Sequence, residues 1–131
     1  MILDVEETLI IGEETFIESF SIQNSFAVAF EDDLRTGYFY ALENQKEIII
    51  LDALHIYDVE NISDKNKPSI IQIAWNNEGD IAAFLINDYC HAIFDFKNKA
   101  GYCRNGFPDS KGWAIDFNRN LTDDLITKLL G

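Results

Sequence analysis

Two histidines are the side chains of this chain best suited to proton transfer, since an unperturbed imidazole titrates near pH ~6.5. His55 lies in the string ILDALHIYDV and His91 in YCHAIFDF. On a strand, His91 and Asp95 would share a face with Tyr89 and Ile93, whereas Asp52 and His55 would point to opposite faces. Triad chemistry also needs an adjacent nucleophile. The sequence has no Gly-x-Ser-x-Gly elbow, and Cys90 would project away from its neighbour His91. The simpler expectation is that each histidine is hydrogen-bonded in or beside the core.

Metal binding finds little support. Cys90, His91 and Cys103 are close in sequence, but neighbouring strand residues face opposite ways and do not readily ligate one ion. No Cys-x-x-Cys pair is present. The segment GYCRNGFP, residues 101–108, sets Tyr102, Cys103, Arg104 and Phe107 among glycines, a composition that could line a small pocket. Arg104 could clamp a carboxylate there, although pairing with an internal acid is the simpler expectation. A pocket of His91, Asp95, Tyr102 and Arg104 is therefore the one enzymatic or small-molecule alternative. No phosphate-cradling glycine motif precedes a helix, and neither metal nor cofactor is expected.

The elements that must position these residues are mostly strands. Residues 6–11 and 15–22 flank Gly12-Glu13-Glu14 and read as a hairpin. Residues 26–31 alternate, with Phe26, Val28 and Phe30 on one face; 37–42 follow, with Tyr38 and Tyr40 opposite Phe39. Residues 48–57 are apolar almost throughout, which predicts a central strand covered on both faces. After a polar loop ending at Pro68, strands 69–75 and 80–86 are joined by Asn76-Asn77-Glu78-Gly79, and 89–96 follows after only Asn87-Asp88. Residues 97–120 read as irregular. Residues 122–130 have helical spacing, with Asn120 or Thr122 as cap and Asp123 and Asp124 in the first turn. Together these predict one α+β domain: a mainly antiparallel sheet of six to eight strands with one C-terminal helix packed against it.

Charge is the remaining signal. Of 23 acidic and 10 basic residues, giving a net charge of −13, nine acids precede the first basic residue, Arg35. The other 97 residues therefore contribute only −4, from fourteen acids against ten bases. Such a field steers cationic partners and repels phosphate backbones and anionic membranes, which excludes nucleic acid and membrane surfaces as partners. Glu6, Glu14 and Glu18 share parity and would stripe one exposed face, with Glu31, Asp32 and Asp33 at a nearby turn. Tyr38, Tyr40 and Tyr57 would serve as aromatic docking anchors. The N-terminus lacks a charged region followed by a long apolar stretch, which predicts a cytoplasmic protein with Cys90 and Cys103 as buried, reduced thiols.

The strings FAVAFEDDLRTGYFYAL (26–42), ILDALHIYDV (50–59), AAFLINDYCHAIFDF (82–96) and GYCRNGFP (101–108) together resemble a bacterial domain-of-unknown-function family numbered 2251. The likeness spans about the central two-thirds of the chain and implies a small, single-domain bacterial protein with no transferable catalytic residues. In overall profile the chain also resembles the immunity proteins of interbacterial toxin systems. That resemblance implies a protein that binds and neutralises a basic toxin domain, an RNase or a DNase, without enzymatic activity of its own.

Overall fold

The computed structural model describes residues 1–110, 112–114 and 118–130. Its strands form two antiparallel sheets. One is a meander of β2 (Thr15–Phe20), β3 (Phe26–Asp32), β4 (Thr36–Asn44) and β5 (Ile48–Asp58), in that spatial order. The other has the order β1-β6-β7-β8-β9, where β1 is Ile2–Leu9, β6 Ser69–Trp75, β7 Ile81–Ile86, β8 Tyr89–Asp95 and β9 Ala100–Cys103. A helix, α1 (Asp123–Leu130), follows. The α+β class stands, with nine strands divided between two sheets.

Period-two alternation explains how the sheets meet. Val28 and Phe30 of β3, Phe39 and Ala41 of β4, and Leu54 of β5 turn inward against Ile71, Ile73, Phe84 and Phe94 of the other sheet, forming one core. Phe84 is the aromatic hub, stacked 4.6 Å from Phe30 and 5.2 Å from Phe39 between ring centroids. Offset stacks of this kind add roughly 0.5–1.5 kcal/mol beyond their area burial.

Three sequence expectations change. Residues 6–11 and 15–22 do not form a hairpin: β1 pairs with β6, and β2 pairs with β3. The chain crosses between sheets at Gly12, whose φ of +94° suits glycine and whose N–H donates to the Asp32 carboxylate at 2.8 Å. Residues 48–57 are an edge strand rather than a central one, and Ile48, Ile49 and Ile50 are 53%, 45% and 64% exposed. The reason is that β5 has one sheet neighbour, β4, and only its C-terminal half is covered from the other side, by residues 101–108 and Arg119. Finally, the stretch 97–120 contains β9, while residues 111 and 115–117 within it lie outside the described residues.

β9 carries Gly101 because a side chain there would collide with a buried ion pair. A Cβ would lie 2.8 Å from an Asp52 carboxylate oxygen and 3.0 Å from the Arg119 guanidinium. Arg119 donates to Asp52, to Gly101 O (3.2 Å) and to Pro108 O (2.7 Å), so both charges are held by specific partners. The pair ties edge strand β5 to edge strand β9, across the two sheets.

The remaining turns follow their residues. The Asn76 side-chain carbonyl accepts from the N–H groups of Asp80 and Ile81, and Gly79 takes φ +68°. Asn87 and Asp88 both adopt positive φ, as a two-residue hairpin link with native twist requires. Thr122 caps α1, its Oγ1 accepting from Leu125 N–H at 3.2 Å.

A candidate docking face on the four-stranded sheet

The outer face of the four-stranded sheet is built in three cross-strand rows, fixed by the register of its pairs. They are Phe16–Glu31–Tyr38–His55, Glu18–Ala29–Tyr40–Ala53 and Phe20–Ala27–Leu42–Ile50. Ala27 and Ala29 are small and almost inaccessible, and they form a floor with Leu42 and Tyr40 packed beside them. Phe16 is 58% exposed and Phe20 44%, so the rims stand in water. The resulting groove, about 320 Å³, is lined by Phe16, Ala29, Tyr40, Leu42, Ile48 and Ile50 together with the carboxylates Glu18 and Glu31.

Its electrostatics are one-sided. None of β2–β5 carries a Lys or Arg. The Tyr40 hydroxyl lies 3.4 Å from Glu31 Oε1, and its pKa is pushed up to about 12 by burial and then by that carboxylate. Tyr40 therefore stays protonated and able to donate. Tyr38 stacks on Tyr40 with centroids 6.1 Å apart and meets His55 edge-on at 5.4 Å. Its pKa is also raised, by burial and then by Asp58.

Of the acids and tyrosines singled out from sequence, this face gathers Glu18, Glu31, Tyr38 and Tyr40. The expected stripe of Glu6, Glu14 and Glu18 does not form. Glu6 belongs to β1 in the other sheet, where it accepts from Gln72 at 2.8 Å, and Glu14 lies on the connection before β2. Their shared parity has no meaning across two sheets. Asp33 is exposed at the β3–β4 turn, where backbone N–H groups of Thr36 and Arg35 donate to it and hold its carboxyl below the usual range.

Asp32 and Tyr57 are corrections of another kind, because neither is on the surface. Asp32 is fully buried and Tyr57 is 6% exposed. The Tyr57 hydroxyl donates to Asp32 at 2.6 Å, and the same carboxylate accepts from Gly12 N–H and Leu34 N–H. Burial and the neighbouring carboxylate raise the Tyr57 pKa. Gly37 makes room for the ring: a Cβ there would lie 2.6 Å from Tyr57 Cζ. These two residues bind each other and leave nothing to offer a partner.

The apolar half of the face was not singled out by sequence. Ile48 and Ile50 read as part of a strand covered on both faces and Phe16, Phe20 and Leu42 carry no distinguishing mark, because an aromatic or aliphatic residue on a strand does not reveal which of its two faces is covered. The available signal was TFIESF in β2, where Phe16, Glu18 and Phe20 share one parity and so place a carboxylate between two phenylalanines.

His55 sits at the end of this face in a defined polar chain. Asn105 Nδ2 donates to His55 Nδ1 at 2.6 Å, so the imidazole proton resides on Nε2 and is donated to Asp58 at 2.9 Å. The Asn105 orientation is set by its Oδ1, which accepts from Phe107 N–H and from the Cys103 thiol. With His55 N–H donating to Phe107 O at 2.8 Å, the chain clamps loop 104–107 onto β5. Asn105 is fifty residues from His55 and carries no local signal of the contact.

The four residues of the alternative pocket do not converge. His91 packs edge-on against Tyr89 at 4.9 Å, and Arg104 lies over the same ring at 4.3 Å. Burial, then Arg104, lowers the His91 pKa to about 4, so the imidazole is neutral. Arg104 donates to Cys90 O and pairs with Asp123 at the start of α1. Asp95 stands at the other end of β8, accepting from the Asn98 backbone and side chain. Tyr102 packs in the cluster beneath α1. Burial pushes the Cys90 thiol up to about 11 and raises Cys103 as well, so both resist ionisation. Among the described residues, no three His, Cys, Asp or Glu side chains are grouped to hold a metal ion, and no helix is long and apolar enough to cross a membrane.

Among the described residues, nine strands in two sheets with one exposed acidic-aromatic face are the architecture to set beside known proteins. Residues 9–130 match a family described as "Uncharacterized protein conserved in bacteria (DUF2251)", and the chain belongs to that family. It is also similar to an "Uncharacterized protein" of Haemophilus influenzae (strain ATCC 51907 / DSM 11121 / KW20 / Rd), with 36% identity over 131 residues, covering 98% of this chain and 81% of the relative. No solved structure matches it significantly.

Proposed function

We propose that this is a binding protein whose outer four-stranded face captures a basic protein domain, acting as an immunity protein or inhibitor of a cationic toxin such as an RNase or DNase. The observation that carries the reading is the composition of one face: exposed Phe16, Phe20 and Ile50 beside Glu18 and Glu31, on four strands without a Lys or Arg. Carboxylates steer a cationic partner and occupy the groups it uses to grip phosphate, while the apolar groove supplies the desolvated contact that slows dissociation.

The test is capture from lysate of the host bacterium with immobilised protein, elution by salt gradient, and reconstitution with the purified partner. A basic protein that binds wild type, is released by salt and is lost by Glu18→Lys/Glu31→Lys supports the reading. If it is a nuclease, its activity should fall on stoichiometric addition. Equal retention of the same partners by wild type and the double variant would overturn it.

A further inference from the structure

Resting on that reading of the face, we propose that what seats in it is one amphipathic α-helix of the partner, apolar along one stripe and carrying Lys or Arg on its flanks. The molecule already shows this solution once. On the opposite sheet, α1 lies over Ala83, Cys90 and Ile93 and packs Leu125, Ile126, Leu129 and Leu130, each partly buried, against them. Small residues under a helix let it approach closely.

The four-stranded sheet presents the same relief without a helix. Ala29 on β3 with Tyr40 and Leu42 on β4 form the floor, Leu42 being only 4% exposed, with Phe16 on β2 to one side and Ile48 and Ile50 on β5 to the other. Three strand spacings separate those walls by roughly 14 Å from backbone to backbone, which leaves room between their side chains for a helix about 10–12 Å wide. From Phe16 to Phe20 the trough runs about 14 Å, which accommodates roughly nine helical residues, or anchors at i, i+3 or i+4, and i+7.

Charge selects the occupant. Glu18 stands on β2 between the two phenylalanines and Glu31 on β3 at the end of the trough, so cations on one flank and at one end of the helix find partners beside the apolar stripe. A second copy of this chain is the wrong partner: its net charge is −13, and α1 opens with Asp123 and Asp124. Strand addition at β5 would engage the edge Ile48–Ile50, which lacks the acids, and would leave the trough empty.

Two synthetic Leu/Lys peptides of equal composition and about 18 residues, long enough to hold helix, separate these possibilities. One is patterned at i, i+3, i+4 and i+7; the other alternates leucine and lysine. The helical pattern should bind wild type and gain helicity by circular dichroism on binding. It should weaken by about tenfold in Phe16→Ser and in Glu18→Lys/Glu31→Lys. Preferential binding of the alternating peptide would overturn the helix and leave the acidic-face reading intact. Wild-type dimerisation in sedimentation abolished by Phe16→Ser would make a second copy the occupant, and would overturn both the helix and the capture of a basic partner by this face. If neither peptide binds, the helix falls, and the acidic face then stands or falls by whether the double charge reversal releases the partner captured from lysate.

Discussion

Both sheets carry small, inaccessible alanines on their outer faces and treat the surface around them differently. On the five-stranded sheet, Ala83 and Ile93 are completely buried because the chain returns after β9 and lays α1 across them. On the four-stranded sheet, Ala27 and Ala29 are equally inaccessible, yet Phe16, Phe20, Ile48 and Ile50 beside them remain in water. One face is finished in cis and the other is not. A covered face adds to stability, since each buried aliphatic side chain contributes roughly 1.5–3 kcal/mol. A bare face contributes little to stability and is free to bind.

The largest perturbation should come from the link between the sheets. Arg119→Ala leaves the buried Asp52 carboxylate without its partner, a loss of about 3–5 kcal/mol for a broken buried pair. Thermal melts followed in the near and far ultraviolet should shift down together, because both sheets share one core. Separate transitions would mean that the two faces belong to independent units.

A matched pair of substitutions sharpens the contrast. Ile126→Ser on the sheet-facing side of α1 should destabilise by roughly 2 kcal/mol, whereas Phe16→Ser on the bare face should stay within about 0.5 kcal/mol. Urea denaturation of the two variants reads this directly. Comparable losses would show that Phe16 is part of the core after all.

A further contrast is in pH. His91, near Arg104, has its pKa lowered from 6.5 to about 4 by burial and then by Arg104. The unfolded chain therefore binds more protons in that window, and stability rises with pH through it. As pH falls from about 6.5 towards 4, the wild type should lose stability faster than His91→Gln, as measured by melting temperature against pH. Parallel curves would show that the imidazole is not held neutral.

How far the sequence reveals this molecule depends on whether the relevant partner is near in the chain. The β6–β7–β8 meander is legible because Asn76, Gly79, Asn87 and Asp88 are turn residues acting locally. The strand 48–58 misleads because unbroken apolar sequence marks a strand buried on both faces and an exposed edge alike. Asp32 and Tyr57 look like surface groups until a contact across 25 residues buries them together, and only Gly37, with no Cβ to obstruct the ring, hints at it. Of the docking face, the charged and phenolic half is visible as residue types. The apolar half emerges only when one knows which side of each strand the other sheet covers.

The β5 edge has a bearing on how this protein survives at high concentration. Ile48, Ile49 and Ile50 form an exposed, uninterrupted β-branched run at the margin of a sheet, with no lysine or proline inside it to discourage templating by another chain. What keeps such margins apart is the −13 charge of the whole particle. Colloidal stability is thus delegated from the strand to the global field, and it should vanish as acidification approaches the isoelectric point of about 4.3. There, neutral molecules can zip edge to edge into fibrillar precipitate.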